Sequence, residues 1–218
     1  MDKTEFYGFK ADLLRFIAET YPVGIVFHSC RIEEKVNLIK TEQESARSMH
    51  PKRIFEFSAG RYCARYCVAQ FGPEAIEIPR GKIGEPLWPP NFMGSISHTN
   101  SVALATVVQT DKFPYIGVDL LSLDSAIENT RLIASDRELS LIDAGDKGVE
   151  AGLMLFSIKE AAIKVISSQL GQYIDFREIE LYSVDNDVAK LSCNLLDIPL
   201  TARWVITRGM FFCLVTRE

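Results

Sequence analysis

The sequence predicts an α+β fold of two lobes, each with a helix and a small antiparallel sheet. Three observations favour this class: helical periodicity occurs in both halves of the chain, β-branched runs with a short turn between them lie near its middle, and its final part alternates between apolar and polar residues. A chain of 218 residues is long enough to bury a substantial core. The turn-like segment TDKFP divides the predicted lobes, which span residues 1–112 and 113–218.

In the first lobe, two helices and two strands are predicted. Apolar residues recur at helical spacing over residues 9–20 and again over 54–72, and each run ends close to a proline. The apolar run 23–30 and the β-branched run 101–109 are typical of strands. Residues 73–94 hold five of the nine prolines and therefore predict a loop.

The second lobe begins with a predicted strand at 115–121. Ser135 and Glu138 have capping-box spacing, which predicts the start of a helix over 135–144. A longer apolar helix is predicted over residues 150–169. The remaining residues predict an antiparallel meander with strands near 176–184, 189–196, 201–208 and 210–217.

The composition is that of a soluble globular protein, with 47% apolar and 24% charged residues. A net charge of −5 argues against nucleic-acid binding but is compatible with a small basic pocket. We find no run of about 18 apolar residues that would insert into a membrane, and no uninterrupted apolar segment typical of a signal peptide at the N-terminus. We therefore expect a cytoplasmic protein whose five scattered cysteines are reduced core thiols.

Three charges interrupt the most apolar predicted helix. The stretch LMLFSIKEAAIKVI, residues 153–166, contains Lys159, Glu160 and Lys164. Glu160 and Lys164 are four residues apart and share a face, so one interpretation is a salt bridge exposed to solvent. Apolar residues flank the pair on every side, and burying an unpaired charge is unfavourable. The alternative is a half-buried acid that is stabilised by a cation or a metal ion.

Another acid, Asp119, lies inside the apolar strand GVDLLS. An aspartate near the end of a strand commonly caps a turn or the next helix, and that interpretation stays open. If a second carboxylate lies within reach of Asp119, the two acids could hold Mg²⁺, which prefers oxygen ligands and retains several waters.

One histidine and several arginines mark the first lobe. His98 follows the small residues of GSIS, in what reads as a polar turn, and could bind a phosphate or a carbonyl. Arg61 and Arg65 share a helix face and cannot neutralise each other, and Arg53 precedes them. Arg80 precedes the segment GKIGEPLWPP. The arginines favour anionic partners, either protein carboxylates or ligand phosphates.

Taken in order, five segments resemble a known family. The segments FEFSAGRYCAR, RGKIGEPLWP, GSISH, GVDLL and FSIKEAAIK are similar to motifs of the 4′-phosphopantetheinyl transferases, in particular the enterobactin synthase component D branch. The similarity extends from Arg53 to Lys164, and the motifs keep the family's order and spacing. Five motifs in register are far more specific than any one of them.

The resemblance implies a fold and a reaction. Members of the family have two pseudo-symmetric α+β lobes, and the chain needs no second copy, so we expect a monomer. The implied enzyme transfers the phosphopantetheine arm of coenzyme A to a serine of an apo acyl or peptidyl carrier protein, with Mg²⁺ as cofactor, and releases 3′,5′-ADP. The branch implies a role in the synthesis of siderophores such as enterobactin, or of other non-ribosomal peptides.

The resemblance also implies roles for individual residues. Asp119 and Glu160 match metal-ligand positions, and Glu160 also matches the residue that could accept the proton of the carrier serine. Lys164 matches a lysine beside the diphosphate, where its charge would offset developing negative charge. The other positions that match coenzyme A contacts are Arg53, Arg61, Arg80, Ser97, His98 and Lys159.

One position departs from the family pattern. The family commonly shows G-x-D-x-E, in which the last acid is a further metal ligand, whereas Leu121 stands there in this chain. This change could lower metal affinity or alter the preference between Mg²⁺ and Mn²⁺. The alternative function is therefore a degenerate homologue that binds coenzyme A or a carrier protein without turnover. A third class is an interaction protein whose motif matches are accidental.

Overall fold

The computed structural model describes residues 1–21, 24–32, 37–72, 76–127, 129–143 and 150–217. The chain forms two compact units, Met1–Ile116 and Gly117–Glu218. Each unit packs helices against a sheet whose neighbouring strands run antiparallel in the registered pairs. The predicted α+β class is therefore confirmed.

Unit 1, Met1–Ile116, places its long third helix against a three-stranded sheet. The strand order is β1-β3-β2, and both pairs are antiparallel. Its core is formed mainly by α3 and the sheet, and includes the buried thiols of Cys30, Cys63 and Cys67. The elements are α1 (Lys3–Thr20), β1 (Ile25–Arg31), α2 (Lys40–Ala46), α3 (Pro51–Ala69), β2 (Phe92–His98) and β3 (Val102–Gln109).

Capping explains where the helices of unit 1 begin. Helix α1 starts six residues earlier than the periodicity predicts, because Asp2 and Glu5 form a reciprocal capping box with N–O distances of 2.9 and 3.0 Å. Helix α3 also starts earlier, at Pro51, because proline at the first helical position lacks an N–H group that would have no partner within the helix. The Nδ1 atom of His50 accepts a hydrogen bond from the backbone N–H of Lys52 (3.4 Å).

Two elements of unit 1 are absent from the sequence prediction. Helix α2 has the polar sequence KTEQESA, which carries no apolar periodicity. The loop assigned to residues 73–94 is wrong at its end, because Phe92–Gly94 begin β2, and the polar turn assigned to His98 is the last position of the same strand. The sequence pattern did not indicate this strand, because glycine and serine occupy positions where β-branched residues are usual. Gly94 is needed there, since a Cβ atom would lie 2.5 Å from the carbonyl oxygen of Thr106.

Unit 2, Gly117–Glu218, is built around a five-stranded sheet of order β4-β8-β7-β6-β5. The antiparallel meander predicted for its last four strands is confirmed by their registers. Helix α5 packs against β8 and is capped at its C-terminal end by Gly171, which adopts a left-handed conformation (φ 63°). The elements are β4 (Ile116–Ser122), α4 (Asp136–Asp143), α5 (Ala151–Leu170), β5 (Ile179–Asp185), β6 (Val188–Cys193), β7 (Leu196–Thr207) and β8 (Met210–Arg217).

Some predicted features fall outside the described residues. These are the stop signals at Pro22 and Pro73, the start of the strand at residue 23 and the end of the helix at residue 144. Within the described part of the chain, no helix combines the length and the hydropathy needed to cross a bilayer.

A buried histidine links three elements of unit 1. The ring of His28 on β1 stacks on Tyr66 of α3, with a centroid distance of 3.7 Å and an interplanar angle of 23°. The Nζ atom of Lys10 on α1 lies 3.5 Å from His28 Nδ1. Burial, assisted by the charge of Lys10, lowers the pKa of His28 from 6.5 to about 4. The folded protein therefore favours the neutral imidazole.

We expect His28 to make the protein less stable at acidic pH. Between pH 6.5 and about 4 the unfolded chain takes up a proton that the folded chain does not, so stability falls with decreasing pH. The difference in pKa limits this loss to about 3 kcal/mol. His28→Phe retains a ring against Tyr66 and should remove this part of the pH dependence. Urea unfolding of both proteins across this range measures the effect, and equal pH dependence would contradict it.

Candidate active site

A glycine brings helix α5 directly against strand β4. A Cβ atom on Gly117 would lie 2.0 Å from the carbonyl oxygen of Ala161, closer than atoms can approach. The absent side chain therefore lets the two backbones meet. Asp119 lies two residues further along β4, on the same face as Gly117. This close approach positions Asp119 against the side chains of α5.

Both oxygens of the Asp119 carboxylate have donors on α5. Oδ1 accepts a hydrogen bond from Lys164 Nζ at 2.7 Å, and Oδ2 accepts one from Ser157 Oγ at 2.7 Å. Lys164 also donates to the carbonyl oxygen of Val118 at 2.9 Å. Asp119 is 5% exposed, so solvent screens its ion pair with Lys164 only weakly. Lys164 therefore pairs with Asp119 on the neighbouring strand. The spacing of Glu160 and Lys164 in the sequence had instead indicated a salt bridge within the helix.

Glu160 is the half-buried acid of this site. Burial raises its pKa, the nearby positive charge of Lys164 opposes this shift, and the negative charge of Asp119 adds to it. The folded protein therefore disfavours the ionised form of Glu160. A cation bound beside the carboxylate would have the opposite effect and would favour ionisation.

The residues present are compatible with a divalent cation. Asp119 and Glu160 supply two carboxylates, the type of ligand that Mg²⁺ prefers, and Mg²⁺ completes its coordination with waters and substrate phosphates. Leu121 supplies no ligand. Across the described residues, no group of three or more His, Cys, Asp and Glu side chains is arranged to hold a metal ion. The site therefore fits a cation held by two acids together with a phosphorylated ligand.

Lys159 has partners inside the fold of unit 2. It is 1% exposed, and its ammonium pairs with Glu138 Oε1 at 2.7 Å. It also donates to the carbonyl oxygens of Ile133 (2.8 Å) and Phe176 (3.2 Å). This geometry favours a structural role for Lys159, and its contact with coenzyme A stays a prediction.

Glu138 joins α4 to the rest of unit 2. Its Oε1 accepts a hydrogen bond from the backbone N–H of Leu181 (3.0 Å), and its Oε2 accepts from the backbone N–H and the hydroxyl of Ser135 (2.9 and 3.0 Å). Burial alone would raise the pKa of Glu138, but these hydrogen bonds and Lys159 together lower it. The capping box predicted at Ser135 is confirmed, and the same carboxylate binds the buried lysine.

In unit 1, Arg61 is a buried cation with unused hydrogen-bonding capacity. It is 4% exposed, its Nε donates to the carbonyl oxygen of Ile78 at 2.7 Å, and its guanidinium lies 4.5 Å from the ring centroid of Phe57. Its Nη2 atom is buried and has no hydrogen-bond partner among the residues that the structure describes. Burial lowers its pKa to about 10; Glu42 opposes the shift, and three further arginines, Arg53, Arg80 and Arg65, add to it. This part of α3 therefore favours an anion.

The other basic residues of unit 1 differ in their partners. Arg53 donates to His98 Nε2 and to Glu56 Oε2 (3.1 Å). The Nδ1 atom of His98 lies 3.4 Å from the carbonyl oxygen of Thr99, so we assign the proton to Nδ1. The carbonyl interpretation of His98 is therefore supported, and its contact with phosphate stays a prediction. Arg65 pairs with the fully buried Glu42.

Arg80 and Ser97 occupy contrasting positions. Arg80 is exposed, and its guanidinium lies over Gly84, where a Cβ atom would be 3.0 Å from Nη2. Ser97 is 5% exposed and lies on the face of β2 opposite to His98. The structure therefore places the predicted arginines, His98 and Ser97 in unit 1. Unit 2 contains Asp119, Lys159, Glu160 and Lys164.

Three contributors were missed by sequence reasoning or given only a local role. Ser157 lies inside the quoted motif but received no role, although a serine in an apolar helix is a signal that its hydroxyl has a buried partner. Glu42 lies in a polar stretch with no hydrophobic pattern. Glu138 was assigned to a cap only, because its ion pair with Lys159 joins distant parts of the chain.

Comparison with protein families identifies the class. Residues 41–108 match the family model described as the 4′-phosphopantetheinyl transferase N-terminal domain, and residues 115–208 match that of the 4′-phosphopantetheinyl transferase superfamily. The chain belongs to this superfamily of enzymes, which confirms the resemblance seen in the motifs.

Three individual relatives illustrate this similarity. The chain is 32% identical to enterobactin synthase component D of Escherichia coli O157:H7 over 151 residues, which cover 61% of this chain and 71% of that protein. It is 30% identical over 170 residues to 4′-phosphopantetheinyl transferase Svp of Streptomyces mobaraensis, covering 75% and 68%. The match to 4′-phosphopantetheinyl transferase Npt of Nocardia iowensis is 27% identical over 133 residues and spans 60% of this chain but only 59% of Npt.

We predict that Lys159→Met strongly destabilises the protein. Methionine fills the volume of the lysine stem but leaves the Glu138 carboxylate buried without its cation, a loss of about 3–5 kcal/mol. Adding Glu138→Gln should restore part of the stability, because no uncompensated charge then remains. Urea unfolding of the two variants and the wild type measures this. A single variant within about 1 kcal/mol of the wild type would contradict a structural role for the pair.

Proposed function

We propose that this protein transfers the 4′-phosphopantetheine arm of coenzyme A to a serine of an apo carrier protein and releases 3′,5′-ADP. The observation that carries the proposal is that Asp119 of β4 bonds to Lys164 of α5 and that both interact electrostatically with Glu160, in a region that matches the superfamily. Two acids and a lysine are suited to phosphoryl transfer, which requires positioning and charge neutralisation rather than covalent catalysis by the protein.

Each residue of unit 2 has a distinct task in this proposal. Asp119 and Glu160 would hold Mg²⁺, which when bound would offset the negative charge of the coenzyme A diphosphate. Glu160 would also accept the proton of the carrier serine, directly or through a water; its raised pKa makes it a better base than an ordinary glutamate. Lys164 would bring its ammonium to the phosphates, while its contact with Asp119 holds it in place.

The residues of unit 1 would bind the phosphates of coenzyme A. The buried guanidinium of Arg61 has one nitrogen without a partner, and an anion would satisfy that nitrogen. The electrostatic influence of Arg53 and Arg80 on Arg61 supports a shared phosphate site. We assign His98 to the same ligand, and Ser97 to a supporting hydroxyl or backbone contact.

We infer the biological setting from the names of the relatives. Because enterobactin synthase component D is among them, we assign this protein to siderophore or other non-ribosomal peptide synthesis, with an acyl or peptidyl carrier protein as partner. We further propose that it acts in the cytoplasm as a monomer.

A second candidate is a protein that binds coenzyme A or a carrier protein without transfer. Leu121 motivates it, because an apolar side chain replaces a potential metal ligand. The two candidates differ in a single observable. Either candidate binds coenzyme A or a carrier protein, but only the enzyme modifies the carrier.

Intact-mass spectrometry tests the proposal. An apo carrier protein is incubated with this protein, coenzyme A and Mg²⁺, and again with EDTA. We expect the carrier to gain the mass of one phosphopantetheine arm in the first sample only. Coenzyme A binding without any mass gain, across several carriers, would support the second candidate. Gain that persists in EDTA would contradict the metal assignment.

We predict that Glu160→Gln abolishes most of the transfer. Glutamine keeps the size of the side chain but removes the metal-binding charge and the base, an effect of at least 10²-fold. Glu150→Gln is the matched control, since Glu150 is exposed at the start of the same helix and its side chain makes no cap hydrogen bond. Rates within a few-fold of each other for the two variants would contradict the role of Glu160.

A further inference from the structure

Ser157 makes an unusual hydrogen bond for a serine within a helix. It is fully buried on α5, and its hydroxyl donates to Asp119 Oδ2 at 2.7 Å. Serine within a helix usually bonds to a carbonyl of the preceding turn. Four other helical serines in the described part of the chain do so, among them Ser58, which donates to the carbonyl of Phe55, and Ser168, which donates to that of Val165. Ser157 instead connects its helix to the acid of strand β4.

The donors on Asp119 have different charges. Lys164 donates to Oδ1 as an ammonium, whereas Ser157 donates to Oδ2 as a neutral hydroxyl. Two donors on different oxygens fix the orientation of the carboxylate. Because the serine adds no positive charge, Asp119 keeps more of its attraction for a cation than it would beside a second lysine.

This orientation matters more here because of Leu121. The usual second acid of the strand is absent, so Asp119 is the acid that β4 can offer on this face. On α5, Ser157, Glu160 and Lys164 are spaced at i, i+3 and i+7 and therefore share one helix face. This face of α5 therefore presents a neutral donor, an acid and a cation toward the carboxylate of Asp119 on β4.

We propose that Ser157 is a positioning residue that orients Asp119 for a divalent cation bound with coenzyme A. The inference rests on the proposed function, because it assumes that Asp119 and Glu160 hold the metal. Hydrogen bonds to ligating carboxylates commonly account for about 10–100-fold in metal affinity. Ser157 therefore acts through Asp119 and needs no contact with coenzyme A.

Metal binding without turnover tests this role. The free Mn²⁺ signal in electron paramagnetic resonance is followed as protein is added in the presence of coenzyme A, with no carrier protein. We expect Ser157→Ala to weaken Mn²⁺ binding at least about 10-fold. Ser157→Cys keeps the size of the side chain but is a weak donor, so it should weaken binding similarly. Ser168→Ala, on the same helix, should leave it unchanged.

The variants separate the possible explanations. If Ser157→Cys binds Mn²⁺ as the wild type does, the hydrogen bond does not position Asp119 and the inference is wrong. If both Ser157 variants and Ser168→Ala weaken binding alike, the effect belongs to the helix and the inference is again wrong. If the wild type does not bind Mn²⁺, or Asp119→Asn binds it equally well, the metal assignment itself fails. Coenzyme A binding in EDTA, measured by calorimetry, should be the same for all variants and shows that each is folded.

Discussion

The burial of charge along helix α5 is the constraint on which unit 2 depends. An apolar helix can hold charged side chains only if each has a partner, and α5 satisfies this requirement in two places. Lys159 pairs with Glu138, and Lys164 pairs with Asp119. The third charge, Glu160, has a raised pKa because its surroundings disfavour ionisation. The paired charges connect the helix to its neighbours, and we propose that the disfavoured one binds a ligand.

In unit 1, two arginines of helix α3 differ in whether the protein satisfies them. Arg65 pairs with the fully buried Glu42, which fixes α2 against α3. Arg61, one turn away on α3, keeps a buried nitrogen without a partner. A buried group that is not satisfied by the protein reduces stability. A protein retains such an unsatisfied group where its function requires it. An anionic ligand that accepts a hydrogen bond from Nη2 would explain why Arg61 is buried in this way.

Local patterns predicted much of the fold, and the motifs predicted the candidate residues. Periodicity was sufficient for α5, which is apolar over most of its length, and for the meander, in which apolar and polar residues alternate. It failed for β2, where glycine and serine replace the usual β-branched residues, and for the short polar α2. Pairs such as Lys159–Glu138 and Ser157–Asp119 join positions far apart in sequence. No local pattern specifies such contacts, so only the folded chain shows that Lys159 is buried.

The most direct test compares the free energy of unfolding of the wild type and Glu160→Gln, without metal or coenzyme A, from about pH 5 to about pH 8. A raised pKa means that folded Glu160 binds its proton more tightly than the unfolded chain does. The wild type should therefore lose stability relative to the glutamine variant as pH rises above 4.5, the ordinary pKa of a glutamate, until Glu160 ionises in the folded protein. We predict that the variant is at least as stable as the wild type at about pH 7.5. A variant less stable by about 1 kcal/mol or more would show that Glu160 supports the fold, contradicting the account.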